Sequence, residues 1–198
     1  EWLMTHLQSK ELYLFHSYTN GVAKSMAFLE DYATLIQAFI ELHKVSANKE
    51  YLIKAKYWMD YVQLHFIDEQ GVFFYFTSDE QLDGIIRKKD SYDGATPSSN
   101  AMICLSLIYL GSIFDQPNWV EQAHKMLASM HKMMVQYPSS FGYWAQSFFQ
   151  IAHGLTEVVG IGNSVDKNLY PILKQFLPHI LPLWMSSVDS NFPTIFGK

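Results

Sequence analysis

The densest run of reactive groups in the sequence is Arg87-Lys-Lys-Asp-Ser-Tyr-Asp-Gly-Ala-Thr-Pro-Ser-Ser-Asn100. It holds three cations, two carboxylates, a phenol, four hydroxyls and an amide within fourteen residues. No amphipathic period runs through it, and a helical apolar pattern begins at once with Ala101-Met-Ile-Cys-Leu. Thr96 or Ser98 can cap that helix, and Pro97 is tolerated in a first turn. A polar loop delivered to a helix N-terminus turns backbone N–H groups and the positive dipole end toward anionic or hydroxyl-rich ligands. Asp93 can accept ligand hydroxyls or act as a general base, and can equally close an Asx turn on its own loop. Arg87 and Lys88 can grip a carboxylate or phosphate, or stand as solvated loop charges. Asn100 can bind a hydroxyl, or bond locally in the first helical turn.

A second acidic point is Glu30-Asp31 at the start of another helical pattern. The pair can complement the helix dipole, or one of them can exchange a proton with a ligand if its surroundings tune it. Consecutive helical residues point about 100° apart, so Asp31, with Tyr32 beside it, is expected to face a cleft and to share catalysis with Asp93, Glu30 assisting binding. Tyr92, Tyr143 and Trp144 supply aromatic faces that suit the apolar side of a sugar. The alternative is that the aromatics, with Phe74, Phe76 and Phe141, roof a core.

Other chemistries find no support. His124 and His131 lie seven apart on one helix and His-Glu-x-x-His is absent, so no metal is expected. No Gly-x-Ser-x-Gly elbow occurs, and the single Cys104 lies on an apolar helix face. Gly160-Ile-Gly162 follows a strand pattern, yet Val165 holds the third glycine position of a dinucleotide loop. No cofactor is expected.

The apolar periods predict the end of a helix over 1–8, a strand or loop closing on Asn20-Gly21, and helices over 29–46, 49–66, 98–113, 118–136 and 143–153. Residues 71–77 read as β-like and 156–162 as a buried strand. A helical stretch over 166–177 and a tail punctuated by Pro178, Pro182 and Pro193 complete the chain. Shifting the sequence by 68 positions lays Ala33 on Ala101, Leu42 on Leu110, Tyr51 on Trp119 and Ala55 on Ala123, with the connectors 46–49 and 114–117 in register. Such self-similarity marks stacked helical hairpins. With short links on one side and long returns on the other, the long loops converge. The expected fold is therefore mainly α: over 1–154, an arc of about three hairpins of an (α/α)6-type toroid, which closes with about twice that number, and over 155–198 a small C-terminal α/β appendage and tail.

Charged residues make up 17%, below the usual quarter, which predicts a surface partly covered by a partner or by further chain. A net charge of −5 without a basic patch excludes nucleic acid as a partner. No run reaches a membrane span and no leader pattern is visible, so a cytoplasmic protein is expected. The helical opening Glu1-Trp-Leu-Met, without an initiator Met, reads as the interior of a longer chain.

Phe28-Leu-Glu-Asp-Tyr-Ala33, Gly71-Val-Phe-Phe, Arg87-Lys-Lys, Tyr92-Asp-Gly-Ala-Thr-Pro-Ser98 with Asn100, Tyr137-Pro, Phe141-Gly142 and Glu157-Val-Val-Gly-Ile-Gly162 occur in order. Over about residues 12–165 the chain thereby resembles the C-terminal region of the thioredoxin-domain-containing proteins related to spermatogenesis-associated protein. It departs from them in carrying His16-Ser-Tyr-Thr-Asn-Gly21 for Arg-Ser-Tyr-Arg-Asp-Gly, and Ser98-Ser-Asn100 for Ser-Gly-Asn. The resemblance implies a toroid similar to those of N-acylglucosamine 2-epimerases and six-hairpin glycosidases, preceded by a thioredoxin-like domain. It thus implies a carbohydrate-like ligand, with epimerase- or isomerase-like proton transfer by analogy. The alternative is a non-catalytic scaffold that receives a client for the thioredoxin-like domain.

Overall fold

The computed structural model describes residues 2–10, 13–81, 87–162 and 180–193. In chain order the elements are α1 (Trp2–Leu7), β1 (Phe15–Thr19), β2 (Val22–Met26), α2 (Leu29–Ser46), α3 (Glu50–His65), α4 (Ser99–Ile113), α5 (Pro117–Gln136), a single 3₁₀ turn (Pro138–Ser140), α6 (Gly142–His153), β3 (Thr156–Ile161) and β4 (Ile180–Met185). The chain is about half helical, with small sheets at its two ends.

Two antiparallel helix pairs, α2 with α3 and α4 with α5, form the body. Within it α4 also packs on α2, α3 and α6, so α2, α4 and α6 stand side by side with α3 and α5 behind them. The reason lies in how the apolar residues are spread. On α2 the buried residues Leu29, Tyr32, Ala33, Ile36, Phe39, Ile40 and His43 recur at three and four, which is one stripe, while Leu42, expected among them, is exposed. On α4 the apolar residues run all round, and of its residues only Met102, Leu105 and Ser112 are not buried. A helix apolar on every side belongs at the centre. Ser98 caps it, its hydroxyl accepting the Ala101 N–H at 3.3 Å.

The 68-residue shift is visible in the backbone. Ala33 and Ala101 are both fully buried, as are Ala55 and Ala123. The links between the paired helices turn through left-handed residues at equivalent positions, Ala47 (φ 56°) and Asp115 (φ 50°). The expected third hairpin is represented by α6. The expected helix over 166–177 and Pro178 lie outside the described residues.

Two expectations are corrected. Residues 71–77 form no strand beyond a single bridge between Ile67 and Phe74. Their backbone groups are shared among unlike partners: the Phe76 N–H donates to Lys88 O at 2.7 Å, and Phe74 bonds to the Asn100 side chain. Residues 156–161 do form a strand, but its side chains are mostly outward, and the buried strand is its parallel partner β4. Pro182, expected in a tail, stands inside β4. A two-stranded sheet leaves each strand one unpaired edge, where a residue without an N–H is tolerated. The Pro182 carbonyl accepts the Tyr109 hydroxyl at 2.6 Å. Gly160 is a packing residue: a Cβ there would lie 2.3 Å from the Trp184 ring. The Gly160 position therefore reflects close approach between β3 and β4, and Val165, the third position of the Gly-x-Gly pattern, lies outside the described residues.

β4 joins the helical core through His43, which is fully buried. Its Nε2 accepts the Trp184 N–H at 3.2 Å, which assigns the ring proton to Nδ1, where it is donated to Asn48 O at 3.2 Å. Burial pushes the imidazole down to about 4 from an ordinary 6.5. The unfolded chain therefore takes up this proton first as the pH falls, so this contribution to stability is complete above about 6.5 and is lost progressively toward 4. The loss is expected to total about 3 kcal/mol at the low end of that window. Urea unfolding at pH 7 and pH 4.5, with His43→Gln as comparison, checks it: the His43 protein loses more stability between the two than the variant does.

Candidate functional site

The β1–β2 hairpin closes on Asn20-Gly21, both at positive φ (52° and 78°) in a two-residue loop between the paired residues Thr19 and Val22. This is the turn that Asn-Gly favours. The hairpin carries His16 over the N-terminus of α2, where His16 Nδ1 lies 2.9 Å from Asp31 Oδ2. The same carboxylate oxygen accepts the Phe28 N–H at 2.8 Å, which fixes Asp31 against its helix. With the Nδ1 proton directed at a carboxylate, the neutral imidazole presents its lone pair at Nε2.

His16, Glu30 and Asp31 stand on the wall of a cavity of about 540 Å³. Thr34 and Thr96 add hydroxyls, and the remainder is apolar, including Leu7, Phe15, Leu35, Pro97 and Met102. The cavity thus lies between α1, β1, α2 and the loop entering α4. Further along the same helices is a second cavity of about 270 Å³, bordered by Gln37, Glu41, Ser106, Tyr143, Gln146 and Gln150, with Lys44 and Tyr109.

The expected site residues divide between these cavities and the framework. Glu30 and Asp31 line the first cavity, and Tyr143 the second. Asp93 lines neither. Its Oδ1 accepts the Ser98 N–H and its Oδ2 the Tyr143 N–H, both at 2.8 Å, so it ties together the entries of α4 and α6. Asn100 is fully buried, its Oδ1 accepting the Phe74 N–H at 2.9 Å and its Nδ2 donating to Phe74 O at 2.9 Å and Asp90 O at 2.7 Å. Trp144 is fully buried, its indole N–H donating to Ser91 O at 2.9 Å. Tyr32 is buried with its hydroxyl accepting the Leu14 N–H at 2.9 Å, and burial pushes the phenol up to about 12.

Arg87 donates to Thr77 O at 2.7 Å and to His65 O at 3.1 Å, with its guanidinium 4.2 Å from the centre of the Tyr75 ring. These are loop-holding contacts, in place of the anion grip expected. Lys88 is exposed. Tyr92 is exposed, resting edge-on against Phe141 and accepting the Ser140 hydroxyl at 3.2 Å. Asp31, Asp93 and Trp144 therefore do not meet over one hollow. Cys104 is buried, and burial pushes its thiol up to about 12, so it stays protonated. Among the described residues no group of three or more His, Cys, Asp or Glu could hold a metal ion, and no helix is long and apolar enough to cross a membrane.

Sequence reasoning missed His16, Gln37 and Gln146. His16 was visible only as a departure from the resembled pattern, because its partner Asp31 is fifteen residues away and meets it through a hairpin.

The fold and its cavities define a mainly α-helical hairpin domain with two hollows on one side of its front helices. No protein-family model matches the chain. It is similar to spermatogenesis-associated protein 20 of Mus musculus, 27% identical over 149 residues, covering 74% of this chain and 19% of that protein. The Homo sapiens protein of the same name is 25% identical over 142 residues, 71% of this chain and 18% of the relative. An uncharacterized Caenorhabditis elegans protein is 26% identical over 143 residues, 72% and 19%. These matches support a relationship to the spermatogenesis-associated protein family, and the chain spans about a fifth of the length of the curated relatives it matches.

Proposed function

We propose that the chain is an arc of an α/α toroid whose first cavity takes a carbohydrate-like ligand and moves a proton on it. The observation that carries this reading is the His16–Asp31 pair on the wall of a cavity otherwise built of apolar side chains and threonine hydroxyls. Asp31 holds the imidazole in one tautomer, and Nε2 is the base. In an open-chain sugar the base takes the proton from the carbon beside the carbonyl. It then returns that proton to the former carbonyl carbon of the enediolate, while the hydroxyl proton on the first carbon passes to the former carbonyl oxygen, the isomerase form of the epimerase-like chemistry that the family resemblance implies. Glu30 and the two threonines bind hydroxyls, and the apolar wall takes the C–H side of the open chain. Asp93, first expected as a second catalytic carboxylate, enters as a positioning residue through Tyr143. Arg87, Lys88, Tyr92, Asn100 and Trp144 belong to the frame, and a thioredoxin-like domain in the same cytoplasmic protein is the partner proposed.

The test is calorimetry with glucose, mannose and fructose on the full-length protein, paired with proton exchange from the sugar into deuterated buffer followed by NMR. His16→Gln, a change at an exposed side chain, is expected to lower the exchange rate by roughly 10²-fold or more, the usual worth of a general base, while the protein stays folded. Absence of sugar binding in the parent protein sinks the reading. A second reading, a non-catalytic scaffold serving a thioredoxin-like domain, is favoured by the number of loop groups already engaged within the fold. Sugar binding with no exchange in either protein would select a binding role.

A further inference from the structure

We infer that the outward face of α6 pairs with the same face of a second copy of this chain, the two helices lying antiparallel about a two-fold axis. Ala145, Phe148, Phe149 and Ala152 are all exposed, Phe148 at 42% and Phe149 at 37%, while Trp144 and Ser147 turn inward and are buried. Their spacing of three, four and seven puts the four on one side of the helix. Gly142–His153 holds no Asp, Glu, Lys or Arg, so no formal charge on this face repels its own image. Phe148 lies beside His131 of α5, ring centres 5.8 Å apart, and Phe149 stacks on His153 at 3.9 Å. Both phenyl rings are therefore already packed on one side before a partner arrives.

The order of the residues selects the partner. Along the helix the face reads Ala, Phe, Phe, Ala, the same in both directions. A two-fold contact sets each residue i against a residue j and each j against i. An axis passing between Phe148 and Phe149 therefore places Phe148 against Phe149 of the second copy, and Ala145 against its Ala152. The alanines let the backbones approach at both ends, and the phenyl rings meet in the middle, where aromatic pairs add to the apolar area removed from water. An unrelated partner would have no use for this symmetry. The contact is small. The 12 residues of α6 make about 18 Å of helix, and a strip about 10 Å wide gives roughly 200 Å² per copy. The exposed stripe Ala128, His131 and Val135 of α5, which borders Phe148, widens it. A standard interface buries about 800 Å² per partner, so the pair is weak and forms by mass action.

Sedimentation equilibrium of the full-length protein tests this. Half of the protein is expected to be dimeric at roughly tens of micromolar. Phe148→Glu sets a carboxylate against a phenyl ring on each side of the axis. It is expected to weaken the dimer roughly tenfold or more while the circular dichroism spectrum stays that of the parent; Phe149→Lys is expected to do the same. Because Phe148 meets Phe149 across the axis, mixing the two variants is expected to restore a dimer that neither forms alone. A parent protein that stays monomeric up to several hundred micromolar overturns the inference, as does a dimer that both substitutions leave intact. Loss of the folded structure in both variants also overturns it, since the face would then be buried against another part of the full-length chain. A mixture that stays monomeric overturns the antiparallel arrangement.

Discussion

Replacing Asn100 by Ala is expected to lower the unfolding free energy by about 4 kcal/mol. The amide is fully buried and makes three hydrogen bonds, two of them a reciprocal pair with the N–H and carbonyl of Phe74, itself a buried core residue. Truncation leaves the Phe74 N–H, the Phe74 carbonyl and one bond of the Asp90 carbonyl without partners. Buried groups in that state each cost about 1–3 kcal/mol. The substitution also removes the side-chain anchor of Phe74 in a segment that holds no ladder of its own. Asn100→Asp is not expected to rescue the loss, since a carboxylate oxygen would face two carbonyls in place of the amide donors. Urea unfolding at pH 7 measures both, and a loss below about 1 kcal/mol for Asn100→Ala contradicts the assigned role.

Asp93→Ala is expected to cost about 3 kcal/mol and to loosen two helix entries at once. Its two oxygens accept the N–H groups of Ser98 and Tyr143, which open α4 and α6, and its own N–H donates to Ser140 O at 3.1 Å. Hydrogen bonds to a charged acceptor are worth about 1.5–3 kcal/mol each, and a carboxylate at two helix N-termini also meets two dipoles. Asp93→Asn keeps the shape but turns an NH2 group toward one of the two donors, so it is expected to recover less than half of the loss. Denaturant titration followed by tryptophan fluorescence reads this through Trp144, the neighbour of Tyr143. Wild-type stability in Asp93→Ala would show that the two contacts are not energetically coupled to folding.

These two residues also show what the sequence could convey. The helices were legible because their apolar stripes repeat at three and four, and the repeat because its two link residues occupy equivalent places. The polar loop was legible as a loop, with Ser98 and Asp93 recognisable as groups able to close turns. Their actual partners were not, because Asn100 reaches Phe74, twenty-six residues back, and Asp93 reaches Tyr143, fifty residues on. Residue types alone do not separate a hydroxyl ligand from a backbone carbonyl, since an amide serves both equally. Asp31 was legible from its place in a first turn, whereas His16 was not, because nothing in its own neighbourhood points to it. The exposed β3 was misread as buried because Val-Val-Gly-Ile has the composition of a core strand; the burial falls on β4, whose Pro182 suggested a tail.

The position of α4 has a consequence for how the molecule opens. A central helix that touches four others has no route to solvent that spares its neighbours, and its backbone protons can trade with water only when the whole assembly comes apart. The rim behaves differently: α1 buries none of its residues fully, and its amides can exchange through local fraying. Isotope labelling followed in time would therefore sort the chain from its edge inward, with the segment behind the polar loop the last to take up deuterium.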